Sequence, residues 1–296
     1  MIEKRRSINS NQLILNIVLS IISLLIIVPF VLLVSVSFSS EADVSKYGYL
    51  IFPKQIDLSA YKFLWKNSAS LLQAYKITAL YSIIGTLLSV LLMAMLAYPL
   101  SKPNYKFRTP LNYFLFFPML FSGGLVPTYI LITRYLGLTD SIWVYILPTM
   151  INVWYVFMMR TFFSGIPQEI YESAYIDGAS EYRCFISMTL PMSTPVLATV
   201  GLFVFLTKWN EWFTSMLYIN NTSLVSLQYL LQRIMLNIQV LNEGGGQMGR
   251  FTADVDVPTE TVRMAMAVAV AGPALVVFPF FQKYFVKGLT VGGVKG

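Results

Sequence analysis

The sequence predicts an all-α integral membrane protein. Of 296 residues, 56% are hydrophobic and only 12% charged, and the mean hydropathy is +0.64, beyond what a water-soluble domain carries. The apolar runs are continuous and reach the roughly 20 residues a bilayer crossing needs, whereas barrel strands alternate over about ten. The absence of histidine, with Cys184 the single cysteine, argues against histidine-based catalysis, a conventional zinc site or an intrachain disulfide, and no metal site is expected. The net charge of +7 sits in short clusters beside apolar runs. That arrangement fits membrane topology better than a nucleic-acid surface.

Six transmembrane helices are expected, in order. Lys4, Arg5 and Arg6 precede a first span over 13–38, longer than the roughly 7 to 15 apolar residues of a signal peptide and so read as uncleaved. Residues 39–72 form an ordered extramembrane loop with Lys46, Lys54, Lys62 and Lys66. A second span over 73–100, closed by Pro99 and Pro103, leads to a loop at 101–110 whose Lys102, Lys106 and Arg108 mark it as cytoplasmic. The third span, 111–133, carries Pro118, Gly123, Gly124 and Pro127. Prolines deprive the carbonyls of Phe114 and Gly123 of helical partners, so this span is either a kinked helix packed on its neighbours or irregular backbone lining a cavity.

After a turn at 137–140, the fourth span covers 141–163, with Asn152, Trp154 and Tyr155. The fifth covers 193–218 and the sixth 262–281, joined by a polar loop at 219–261 with a glycine-rich stretch at 242–249. Six spans place both ends on one side. That side then holds eleven Lys and Arg against five acidic residues, and the other nine against eight, so the termini are read as cytoplasmic. The domain reading is an N-terminal part, 1–72, a five-span region, 73–283, with a cytoplasmic loop at 164–192, and a cytoplasmic tail, 284–296.

The loop at 164–192 is the most informative stretch. It gathers Glu169, Glu172, Asp177, Glu181 and Arg183 between two apolar runs. Pro167 suits a helix start, Ile170 and Ala174 share a helical face, and Gly178 can take the left-handed conformation that ends a helix. A second short helix is expected from Ser180 to Pro191. The pair is read as either a solvated connector or a handle that docks into a partner's cleft.

Spacing carries a resemblance. Glu172-Ser173-Ala174, then Gly178 and Ala179 after Asp177, then Leu190-Pro191, resembles the coupling loop of the permease subunits of ATP-binding-cassette (ABC) importers. Ser173 and Met188 depart mildly from that pattern. The stretches 121–129, 209–212 and 284–296 are similar to the carbohydrate-uptake branch, the MalG-like second permease with its LplC/YtcP-like group.

The resemblance implies a type I ABC importer permease fold in a bacterial or archaeal cell membrane. It also implies a second permease, two cytoplasmic ATPases that hold ATP and magnesium, and an external solute-binding protein, with no cofactor on this chain. By it, Glu172, Ser173, Ala174, Asp177, Gly178, Ala179, Leu190 and Pro191 are ATPase-coupling residues rather than catalytic ones. The solute implied is an oligosaccharide moved by alternating access, an ABC permease for a non-sugar solute being the near alternative.

A second stretch, Lys208 to Trp212, puts an ionisable pair inside an apolar run. Such a pair costs about 2.5 to 3.5 kcal/mol per central charge on insertion scales. Lys208 and Glu211 are spaced to pair along a helix. The cluster is read either as an interfacial aromatic belt with snorkelling charges or as a sugar platform of Trp209, Asn210, Glu211 and Trp212. Gly123, Gly124 and Asn152 complete the candidate substrate pathway. A Walker A pattern fails because Val294 stands where its lysine belongs, so ATP is not expected on this chain. An ion-coupled secondary transporter is a different class of reading, but it would place ionisable groups near the midplane.

Overall fold

The computed structural model describes residues 10–66, 68–244 and 260–291. Among them the chain is helical, with one isolated antiparallel bridge between Ser39 and Ile56. It forms two compact units: Met1–Ser68 with Met235–Ala271, and Ala69–Ile234 with Gly272–Gly296.

In the first unit, α1 (Ser10–Ser37) is apolar on every side and continues through Pro29. Leu24 and Leu25 are 62% and 67% exposed, so this helix is built to be covered by lipid or another protein rather than by its own chain. α2 (Glu41–Tyr47) is capped by the Ser40 hydroxyl, which accepts from Asp43 N–H, and stops at Gly48 with φ +72°. Asp57 accepts from Ser59 N–H at 2.8 Å where α3 (Ser59–Lys66) begins.

The first turn of α14 (Glu260–Val291) receives a cap from far away in sequence. Glu41 accepts from Glu260 N–H and Thr261 N–H, each at 3.0 Å, and from the Thr261 hydroxyl at 2.8 Å. A carboxylate satisfying otherwise orphan N–H groups also opposes the positive end of the helix dipole.

The second unit is organised on α4 (Ser68–Ser101), a 34-residue helix. Its buried face is lined by small residues, Ser82, Gly85, Ser89, Ala94 and Ala97, which let neighbouring backbones come close. Pro99 does not close it; the helix runs two residues further, and the Ser101 hydroxyl bonds the Tyr98 carbonyl at 2.6 Å. α5 (Arg108–Leu120) and α6 (Leu125–Ile130) follow, then a π-turn at Leu131–Tyr135.

A 3₁₀ turn at Ile142–Tyr145 precedes α7 (Val153–Ser164), and then come α8 (Gln168–Ile176) and α9 (Glu181–Cys184). After a π-turn at Phe185–Thr189 the chain continues through α10 (Leu190–Met192), α11 (Thr194–Trp209), α12 (Phe213–Tyr218) and α13 (Leu227–Gly244). One core cluster joins Met93 and Ala97 of α4 to Met159, Ala174, Cys184 and Val200. Another joins Tyr81 to Ile132, Tyr145 and Tyr218.

Among the described residues, three helices have the length and apolarity to cross a membrane, or up to five if each bent pair is one span. Six were expected, and the fourth makes the difference. Residues 146–152 are not helical, and α7, with 12 residues, spans about 18 Å at 1.5 Å per residue. Pro148 lies in this interruption and Asn152 caps the helix after it, its Oδ1 accepting from Trp154 N–H at 3.0 Å.

The third span breaks as well. α5 and the helix at Leu125–Tyr135 meet at 112°, with Gly124 at φ +87°. Pro127 falls in the first turn of the new helix, where its missing N–H costs nothing, and the Gly124 carbonyl accepts from the Thr128 hydroxyl at 2.8 Å.

Two other expectations are corrected. The polar loop at 219–261 contains the 18-residue α13, because Leu227, Leu230, Leu231 and Ile234 recur at helical spacing. α14 reaches Val291, so the helix of the sixth span continues past its expected end at residue 281. The glycine-rich stretch 242–249 starts within α13; Asp254 and Asp256, like Lys4, Arg5 and Arg6, lie outside the described residues.

Candidate functional site

The charged loop folds into two helices on one hinge. Pro167, at φ −54°, stands before α8. That helix ends in a Schellman-like closure, Ala179 N–H to the Ala174 carbonyl at 2.9 Å, which requires the left-handed Gly178 at φ +77°. Ser180 then caps α9 by accepting from Arg183 N–H. Ala174 is 2% exposed and Tyr171 likewise buried against the core, while Glu172, Ser173, Asp177 and Gly178 are exposed, Ala179 and Leu190 half-buried and Pro191 exposed. Ile176 and Tyr182, at 86% and 71% exposed, add apolar surface beside the carboxylates.

Glu181 ties this loop together. Its two oxygens accept from Tyr98 OH at 2.6 Å and Tyr175 OH at 2.8 Å. Beside it, the Lys102 ammonium lies 2.8 Å from the centre of the Tyr171 ring and 4.9 Å from that of Tyr98. Burial lowers the Lys102 pKa from its ordinary value, and the nearby Glu181 carboxylate counters part of that shift.

The second stretch behaves differently from expectation. Lys208 does not pair with Glu211, because α11 ends at Trp209 and Glu211 leaves the helical face. Lys208, 4% exposed, instead donates to the Tyr145 carbonyl at 3.2 Å and the Thr149 hydroxyl at 2.9 Å. Its stem lies over Gly85, where a Cβ would come within 2.9 Å of the lysine Cδ and Cε. The ammonium thus serves a carbonyl at the interruption of the fourth span, a polar group that would otherwise need another partner at that depth. Glu211 accepts from Thr214 N–H at 2.8 Å at the start of α12.

Comparison with known proteins places the chain. No family model matches it. The Bacillus subtilis polygalacturonan/rhamnogalacturonan transport system permease protein YtcP is 35% identical over 93% of this chain and 94% of its own length. Protein LplC of the same bacterium is 36% identical over 91% of the chain and 90% of its length. The chain belongs to the carbohydrate permeases of ABC transporters. A crystal structure of a bacterial ABC transporter involved in import of the acidic polysaccharide alginate contains a chain 28% identical to this one. It superimposes with a TM-score of 0.80 over 96% of this chain and 100% of that one.

In this permease, the residues expected to couple to an ATPase fall in two places: Glu172, Ser173, Ala174, Asp177, Gly178 and Ala179 on α8 and the turn that ends it, and Leu190 and Pro191 in α10. The candidate pathway residues differ in exposure and in partners. Trp209 is buried, stacked on Phe205 at 5.7 Å and tilted against Tyr75. Asn210 is exposed and accepts from Gln228 at 2.9 Å. Trp212, 37% exposed, meets Phe213 edge-on. Gly123, Gly124 and Asn152 are exposed at the two breaks. Lys208 is directed inward, so the snorkelling-belt reading fails for it too.

The motif pattern missed Tyr98, Lys102, Gly85 and Thr149. A lone tyrosine or glycine in an apolar run gives no local signal of a partner far along the chain.

Asp140 holds one more junction. It takes φ +55°, its N–H bonds the Tyr218 carbonyl at 3.0 Å, and its Oδ1 accepts from Asn220 N–H at 2.6 Å and Asn221 N–H at 2.8 Å. Those two backbone bonds lower the carboxyl pKa below its ordinary 3.8. A carboxylate with a depressed folded pKa stabilises above its unfolded pKa and loses that contribution as pH falls through the folded one. Protection of the Asn220 and Asn221 amides from hydrogen exchange is therefore expected to fall as pH drops below 3.8. In Asp140→Asn the same step should vanish; an unchanged pH profile in that variant would refute the assignment.

Proposed function

We propose that this chain is one of two permease subunits of an ABC importer that takes up an oligosaccharide by alternating access. Its partners are a second, different permease, two cytoplasmic ATPases that carry ATP and magnesium, and an external solute-binding protein. Both ends of the chain face the cytoplasm, and it crosses the membrane six times, the third and fourth crossings being interrupted helices. The polygalacturonan/rhamnogalacturonan transport system permease protein named above supports the solute class.

The observation that carries the reading is the hinge at Gly178. It presents Glu172, Ser173 and Asp177 together with the exposed Ile176 and Tyr182, while Ala174 beneath them is packed into the core. A surface that is both apolar and acidic, on a segment fixed from below, suits a groove in another subunit. In this reading ATP binding by the partner displaces the loop, and the helices joined to it open one side of the pathway and close the other.

The test is purification of the tagged chain from its source membranes in mild detergent. An ATPase subunit is expected to accompany it, with ATP hydrolysis in the eluate. Gly178→Val puts a β-branched residue at a left-handed φ, and is expected to reduce the recovered ATPase at least about tenfold, since about 1.4 kcal/mol is a factor of ten in binding. A chain that elutes with no ATPase overturns the proposal.

A further inference from the structure

We propose that Glu181 and Lys102 clamp the C-terminal end of α4 to the coupling loop, so that α4 carries the ATPase-driven displacement into the membrane. The inference rests on the functional reading above. Glu181 and Lys102 act here as positioning residues.

Three elements meet on one carboxylate. Glu181 opens α9, Tyr175 lies in the last turns of α8, and Tyr98 lies one turn before the end of α4. With bonds of 2.6 and 2.8 Å to the two tyrosines, both oxygens of Glu181 are engaged from opposite elements. Hydroxyl-to-carboxylate bonds of this length are short and directional. Apolar surfaces can slide by small shear steps, but a carboxylate held from two sides fixes both separation and angle.

Lys102 supplies a second, independent tie. It follows α4 directly, and its ammonium is buried with no hydrogen-bond partner. What it has instead is the face of the Tyr171 ring at 2.8 Å, a cation–π contact that gains from desolvation. Tyr171 is in α8, and its hydroxyl bonds Thr189 of the following π-turn at 2.9 Å. A third contact, the Ser164 hydroxyl to the Ser101 carbonyl at 3.3 Å, sits at the same end of α4.

α4 has the reach to use such a tie. Tyr98 lies seventeen positions beyond Tyr81, about 25 Å at 1.5 Å per residue. At that distance Tyr81 stacks on Tyr145, ring centroids 4.3 Å apart, and Gly85 seats Lys208, which holds the interruption of the fourth span. One rigid element therefore touches the coupling loop at one end and the broken segment further along.

The experiment uses the complete transporter in lipid nanodiscs, with spin labels on Leu80→Cys in α4 and Gln168→Cys in α8. Both positions are exposed, and the native Cys184 is buried and so resists labelling. The label-to-label distance is measured without nucleotide and after trapping with ATP and vanadate. In the parent, which keeps Glu181 and Lys102, it is expected to stay the same in both states, α4 and the loop moving as one. In Glu181→Ala/Lys102→Met the trapped state is expected to show a shifted or broadened distance. Tyr98→Phe and Tyr175→Phe, each lacking one hydroxyl, are expected to show a smaller broadening and serve if the double variant does not assemble. A distance that changes on trapping in the parent, or one that stays fixed in all the variants, overturns the clamp alone. A transporter that traps no nucleotide overturns the functional reading and the clamp with it.

Discussion

Replacing Gly85 with leucine is expected to abolish recovery of folded permease, and Gly85→Ala to lower its stability by about 1 to 3 kcal/mol, the usual cost of overpacking. The reason is the neighbour. A Cβ at position 85 would meet the Lys208 Cδ and Cε at 2.9 Å and its Nζ at 3.2 Å. A lysine stem in the open would swing aside at little cost. This one is anchored at its far end by the Tyr145 carbonyl and Thr149, so moving it strips a buried ammonium of its hydrogen bonds, which carries the larger penalty of an uncompensated charge. Gly272→Ala is the control, because nothing lies within 4 Å of its Cβ position. There the gain in helix propensity, about 0.5 to 1 kcal/mol, should leave stability unchanged or slightly raised. Thermal or denaturant unfolding of the two alanine variants in the same detergent decides it; equal midpoints would refute the close packing.

Ala174→Asp is expected to disconnect the 164–192 loop from the core, at a cost of several kcal/mol. Ala174 is 2% exposed, in one cluster with Tyr171, Met159, Cys184 and Phe185. A carboxylate there is taken out of water among apolar side chains, so it must be buried at a cost, be neutralised, or push the helix outward. Glu172→Gln, two residues away on the exposed side, removes a charge without touching the core and should leave unfolding unchanged, since surface substitutions usually stay within about 0.5 kcal/mol. Proteolysis of the 164–192 segment separates the two: rapid cleavage in Ala174→Asp and native-like resistance in Glu172→Gln. Equal resistance in both would show that the buried contact of Ala174 does not hold the loop.

Legibility in the sequence followed the range of the interactions. The 164–192 loop was readable to the level of individual caps because Pro167, Gly178 and Ser180 act through backbone geometry within a few residues. The long spans of α1 and α4 were readable because apolar composition alone determines them. The fourth span misled, since its hydropathy is continuous while Pro148 and a lysine from another helix decide its shape. Lys208 and Glu211 misled for the same reason. Their spacing is right for a pair only while the helix continues, and α11 stops between them. α13 was lost inside a stretch read by its glycines and acids, although its leucines keep helical time. Glu181 was visible as a charge, yet its partner Tyr98 lies 83 positions away, beyond any pattern of local spacing.

The π-turn at Phe185–Thr189 has a consequence for how direction is stored in this molecule. A π-turn is an α-helix with one residue too many, and one residue corresponds to about 100° of rotation at 3.6 residues per turn. The helix from Glu181 to Met192 meets α11 at 78°, and the heading of its outward face is set by that surplus residue as much as by any side chain. Orientation of this outward face is thus written as a count rather than as a chemistry. Exchanging residues inside the turn preserves the heading, whereas losing a single one would turn the whole surface away while leaving every charge and ring on it intact.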